Sequence, residues 1–195
     1  MQLKLIAAAL IAAASLTACA MNDTRSDMGM KSEGMMSNPM VGGAAMYSNK
    51  DIIDNAVNSR DHTTLVAAVK AAGLVDTLKG AGPFTVFAPT NAAFDALPAG
   101  TVATLLKPEM KGDLSTVLTY HVVPGKLDAA ALMAMISDGG GKAMLTTVQG
   151  GMLTAMKSGN GVSITDAKGN SARVTTANVY QSNGVIHVVD KVLMP

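Results

Sequence analysis

The apolar pattern of this chain changes period at Gly139-Gly140-Gly141, and that change limits what it can fold into. Before the three glycines, apolar residues recur at helical spacing in short segments broken by Gly and Pro. After them come brief strand-like runs separated by Gly, Asn and Asp. Helices first and hairpins second predict one α+β domain, not a sheet built from βαβ units. Aromatic residues make up only 3% of the chain and Trp is absent, so the core must come from Ala, Val, Leu and Met. A domain of roughly 150 residues buries about two thirds of its unfolded surface and needs no disulfide.

The segments can be placed from their boundaries. Ile52, Ile53, Ala56 and Val57 form a helical stripe over residues 51–58. Asp61 is expected to cap a second helix that carries Leu65, Val66, Ala68 and Val69 and stops at Gly73. Leu74, Val75 and Leu78 extend the buried region to the turn at Gly80-Ala81-Gly82-Pro83. Phe84 to Phe87 predicts a strand with Phe84, Val86 and Ala88 inward. Pro89 ends it, and Thr90 caps a short helix that returns Phe94 to the core. Helices are predicted over 102–106, 114–120 and 129–136, the last capped by Asp128, with an extended piece at 121–123. Strands are expected at 143–148, 151–156, 162–165, 173–179 and 185–193.

The N-terminus has a separate logic. Lys4 is followed by a twelve-residue apolar run from Leu5 to Leu16, too short to span a bilayer but suited to an export signal. The run ends in Leu16-Thr17-Ala18-Cys19, which resembles the bacterial lipobox. That resemblance implies removal of residues 1–18, a diacylglycerol on the Cys19 sulfur and acylation of the new amine. Two or three chains on one residue meet the requirement for stable attachment, at about 0.8 kcal/mol per buried methylene. Cys19 is the only cysteine, so the exported part has no disulfide, and alkylation removes a thiol that would oxidise. Ala20, where many such proteins carry a retention Asp, implies the outer membrane by the same resemblance. Cleavage after Ala20 is the alternative, giving a soluble secreted or periplasmic protein.

Residues 19–46 are read as the lipidated Cys and a flexible linker, since Gly, Ser, Asn, Asp and Pro are frequent and no period is sustained. Methionine is abundant in it, at positions 21, 28, 30, 35, 36, 40 and 46. Thioether sulfur selects soft metals, so Met28, Met30, Met35, Met36 and Met40 could hold Cu(I) in a periplasmic copper-binding or oxidative-stress protein. No His accompanies them and their spacing is irregular, which favours a plain tether.

Charge excludes other classes. Fifteen basic against 14 acidic residues give +1, and loss of Lys4 with the signal leaves 14 against 14. Such a surface offers no field for a nucleic acid or an anionic membrane. The chain lacks G-x-S-x-G, H-E-x-x-H, C-x-x-C and a P-loop, and its acidic residues sit at apparent turns and caps. A non-catalytic protein without cofactor is therefore expected.

Three stretches, in order, resemble the fasciclin domain family: Gly82-Pro83-Phe84-Thr85-Val86-Phe87-Ala88-Pro89-Thr90-Asn91-Ala92-Ala93-Phe94, then Tyr120-His121-Val122-Val123-Pro124-Gly125, and last the run from Asn183 to Pro195 with Gly184-Val185-Ile186-His187-Val188-Val189. The resemblance covers residues 47–195. It implies a β-wedge flanked by helices and a role in adhesion or ligand binding at the cell envelope, with a protein or matrix polysaccharide as partner. Tyr120, His121, Asp128 and His187 become candidate recognition or structural residues. The physical reading of His121 and His187 is a buried imidazole whose nitrogens hold backbone, with no carboxylate or Cys at a metal-binding spacing. His62, near a helix start, is expected to face solvent.

The first residue of the mature chain is expected to carry acyl mass by mass spectrometry, and Cys19→Ala to move the protein from the membrane to the soluble fraction.

Overall fold

A computed structural model describes residues 38–195. Cys19 and most of the predicted linker lie outside the described residues. The first described element corrects the linker boundary, because a short hairpin, β1 (Met40–Val41) with β2 (Ala44–Ala45), precedes Tyr47. Val41 and Met46 are buried in the core, whereas Met40 is exposed. These two apolar side chains give the hairpin something to bury, and composition alone concealed that.

Seven α-helices follow in the described chain: α1 (Ile52–Ala56), α2 (Thr63–Ala72), α3 (Val75–Lys79), α4 (Asn91–Asp95), α5 (Thr101–Leu105), α6 (Lys111–Tyr120) and α7 (Ala129–Asp138). Their ends follow local chemistry. The side chains of Asp51, Thr90 and Asp128 accept amides in the first turns of α1, α4 and α7. Gly73 ends α2 with a φ of 73°, which a Cβ would oppose. Asp61 does not cap α2. It lies in a 3-10 turn over Arg60–His62, which carries the chain directly into the helix.

The strands are β3 (Phe84–Pro89), β4 (Val122–Pro124), β5 (Lys142–Thr146), β6 (Met152–Ser158), β7 (Gly161–Thr165), β8 (Ser171–Gln181) and β9 (Gly184–Val189). They form one sheet in the order β4-β3-β9-β8-β7-β6-β5. All neighbours are antiparallel except β3 and β9, which run parallel with Val86 beside Ile186 and Phe87 beside His187. No hairpin can make that pair, since about half the chain lies between its strands.

This central pair is covered on both faces. Val86, Ala88, Ile186 and Val188 join a cluster with Leu65, Val69, Phe94, Leu114 and Leu118 from the helices. Phe87 and Val189 join the opposite cluster with Leu132 and Ile136 of α7 and Leu145, Leu153 and Ile164 of the hairpins. Two-sided cover explains the unbroken apolar runs. It also corrects the inward set of β3: residues 85–89 are all buried, while Phe84 is only half-buried.

The strands β3 and β9 approach so closely at their start that side chains are excluded. A Cβ on Gly184 would stand 2.1 Å from the carbonyl oxygen of Phe84. Gly184→Ala is expected to lower stability by about 2–3 kcal/mol in urea unfolding. Gly112→Ala, within α6 and facing open space, is expected to raise it by roughly 0.5–1 kcal/mol.

Candidate functional site

The Tyr-His pair at the end of α6 is wholly internal. Tyr120 is 1% exposed and His121 2% exposed. The Tyr120 hydroxyl donates to the Met152 carbonyl at 2.8 Å and accepts from the Ala167 amide at 3.1 Å. It thereby joins α6 to β6 and to the turn between β7 and β8. His121 donates through Nδ1 to the Val117 carbonyl at 2.8 Å, and its Nε2 accepts the Leu193 amide at 2.9 Å. Asp166 accepts the next amide, Met194, at 3.0 Å. Two adjacent residues therefore fasten α6 to the sheet and to the C-terminal segment.

Burial pushes the His121 pKa down to about 4, with the Val117 carbonyl and Asp166 pulling weakly the other way. Burial pushes Asp166 up, but its hydrogen bonds from the Asn170 side chain and the Met194, Asn170 and Lys168 amides outweigh this and leave it lowered. His121 is thus a neutral structural group at pH 7, with both ring nitrogens occupied.

His62 is buried, not solvent-facing, because the β1–β2 hairpin covers it; Val41 and Met46 share its cavity wall. Its Nδ1 lies 2.8 Å from the Ser59 hydroxyl. A Ser–His pair is the core of many nucleophilic sites, but this one lines a cavity of about 40 Å³ with almost entirely apolar walls. That volume has room for little more than a water. The backbone at Gly42 closes over Ser59, since a Cβ there would lie 2.4 Å from the hydroxyl. No acyl substrate could reach this pair.

Like His62, whose Nε2 meets no partner among the described residues, His187 keeps one ring nitrogen unpaired among them, but it lines a larger groove. It is fully buried in β9, and its ring stacks on Phe87 with centroids 5.7 Å apart. Nε2 donates to the Leu127 carbonyl at 2.8 Å, while Nδ1 meets no partner among the described residues. A buried polar atom without a partner costs about 1–3 kcal/mol. Burial pushes its pKa down, with Leu127 and Asp128 acting against it. The ring borders a groove of about 230 Å³ whose walls include Ala129, Leu132 and Met133 of α7, Val162 of β7 and Ala177 of β8.

A bulge in β8 shapes this groove. Register shifts between Thr176 and Val179, and Asn178 takes a φ of 61°. Asn is among the few residues that tolerate that conformation. Its side-chain oxygen accepts the Ala129 amide at 2.7 Å, beside the Asp128 cap on Ala131 at 2.8 Å. Two donors at the start of α7 are satisfied this way, which fixes the helix over the sheet. The Asp128 carboxyl is lowered by the Ala131 amide and also receives the Tyr180 hydroxyl at 3.3 Å.

Of the four candidates, His187 and Asp128 stand at or beside the groove, whereas Tyr120 and His121 are internal ties. Sequence reading missed Asn183 and Asn178. Asn183 lies in a turn, yet its side chain accepts the Ile52 amide and donates to the Leu78 and Gly80 carbonyls. Asn in a turn carries no signal of such long-range bonds. Among the described residues no three His, Cys, Asp or Glu side chains gather as a metal site, and no helix is long and apolar enough to cross a membrane.

The buried histidines give acid lability a defined window. With His121 lowered in the fold, the unfolded chain takes up its proton first, so stability is complete above pH 6.5 and falls as pH drops toward 4. His62 and His187 are lowered too and add in the same direction. Asp166, lowered, begins to lose its contribution only below this range. Urea unfolding from pH 7.5 to 4.5 is expected to show a loss of roughly 2–3 kcal/mol from His121, from 6.5 against about 4. His121→Gln flattens the profile.

The model of the Fasciclin domain family matches residues 60–195, more than half of the chain. "Protein sll1483" of Synechocystis sp. is 47% identical over 157 residues, spanning 80% of this chain and 79% of that protein. The cell surface glycolipoprotein MPB83 of Mycobacterium bovis is 34% identical over 191 residues, spanning 94% of this chain and 79% of that protein. Among solved structures, a FAS1 domain pair from the insect cell adhesion molecule Fasciclin I superposes with a TM-score of 0.66 at 16% identity. That match covers 75% of this chain and 51% of the pair, about half its length, and at that identity it bears on the fold alone. With three sequence signatures in order, a matching family model and a shared fold, the chain belongs to the fasciclin domain family.

Proposed function

We propose that this chain is an adhesion or ligand-binding module of the cell envelope, anchored in the outer membrane through lipid on Cys19 and carrying no catalytic activity. The observation that carries this reading is the placement of Leu16-Thr17-Ala18-Cys19 ahead of a single fasciclin domain. Likeness to a mycobacterial protein named as a cell surface glycolipoprotein supports it, over most of the chain. The membership of a family of adhesion-type domains supports a binder.

The chemistry of the titratable groups favours binding as well. His121 is saturated by backbone, Ser59–His62 is sealed, and His187 has no hydroxyl or thiol bonded to it among the described residues. A nucleophile needs a base within reach and space for a substrate. Lipid attachment and a tether would hold the domain near one surface and raise its effective concentration toward a partner there. The partner class is a protein or matrix polysaccharide.

Surface attachment and in-cell cross-linking of three forms test this reading: wild type, Cys19→Ala, and a form ending at residue 46. Wild type is expected to attach and to capture a partner that the truncated form does not, and Cys19→Ala to lose at least about tenfold of both, as loss of tethering implies. Equal attachment and identical captured species in all three would overturn it.

A further inference from the structure

The groove between α7 and the bulged β8 has a polarity pattern that specifies what could occupy it. Nε2 of His187 faces the Leu127 carbonyl at 2.8 Å, so in the neutral ring the proton sits on Nε2 and Nδ1 presents a lone pair. Stacking on Phe87 fixes the ring plane. The Thr175 hydroxyl, also at the groove, is already given to the Val188 carbonyl at 3.3 Å. Asn160, in the turn between β6 and β7, is the other polar side chain at the wall, and the rest is largely aliphatic. A fully buried acceptor beside a concave apolar surface, with no donor among the described residues, is a half-made hydrogen bond.

We infer that this groove binds a small, mainly apolar molecule bearing one hydroxyl or N–H, whose proton is received by Nδ1 of His187. Volume sets the size class, because about 230 Å³ is below the usual range of pockets for drug-sized ligands. Charge sets the head group. The Asp128 carboxylate acts on His187 and disfavours an anionic head, and a lone-pair acceptor repels a carboxylate in any case. Met133, unbranched and half-buried, is the wall residue best able to shift as the head enters. The inference rests on the reading of this domain as a binder and names the ligand class for it.

The test titrates 4-ethylphenol, its methyl ether 4-ethylanisole, and 4-ethylbenzoate into the full chain, by calorimetry and by the ring nitrogen resonances of His187. The phenol is expected to bind and to move the Nδ1 resonance, with the ether and the benzoate each weaker by about tenfold or more. Ala177→Leu, which fills the groove and leaves the ring intact, is expected to abolish binding with the fold retained. Equal affinities for phenol and ether, or an Nδ1 resonance unmoved at saturating phenol, would overturn the inference. Should Ala177→Leu fail to fold, the wild-type resonance and the phenol-to-ether ratio decide alone. Phenol recovered unchanged agrees with a binder. Phenol consumed while Nδ1 shifts would overturn the binder reading and leave the site standing.

Discussion

Two strands separated by about half the chain, β3 and β9, lie side by side in parallel and bury both of their faces. Every other element is arranged around that pair. The helices cover the face that carries Val86 and Ile186; α7 and the hairpins cover the face that carries Phe87 and Val189. Burying one aliphatic side chain of this size contributes about 1.5–3 kcal/mol, so the apolar residues of this pair outweigh any single surface contact. The exposed ion pairs of Lys79 with Asp51 and Asp54 are worth far less. A pair so distant in sequence must also be held in register. Asn183 does so at one end, by bonding α1, the end of α3 and the turn beyond it.

Tyr120 and His121 take on meaning within that frame. They stand where α6 meets the sheet and use three side-chain atoms to hold four backbone segments. Such fully satisfied buried polar groups specify one arrangement among the many that apolar packing would allow. Their burial separates the conspicuous motif of the sequence from the surface. Of the sequence candidates, only His187 lines a groove and keeps a ring nitrogen without a partner among the described residues.

Much of the fold was legible in the sequence, because caps and breaks act locally. Thr90 and Asp128 cap the helices they were expected to cap, and Gly73 stops α2. The change of period at the glycines does separate all seven described α-helices from the strands β5 to β9, although the β1–β2 hairpin precedes it. What was not legible depends on distant partners. The parallel partner of β3 is far along the chain, His62 is hidden by a hairpin that reads as linker, and Asn178 takes its role from a bulge. His187 could be read as buried, but only the structure shows that one of its nitrogens is held and the other meets no partner among the described residues.

Native-state amide hydrogen exchange can show whether the β3–β9 pair is the frame of the domain, because it ranks segments by the free energy needed to open them. The slowest exchange is expected at the amides of Val86 to Ala88 and Val185 to Val189, together with Leu193, whose proton is held by His121. These should open only with global unfolding, while the edge strand β5 exchanges sooner. If β9 and Leu193 exchanged through a local opening, with β5 and β6 or the helices protected longer, the strand pair would not be the frame on which this domain is built.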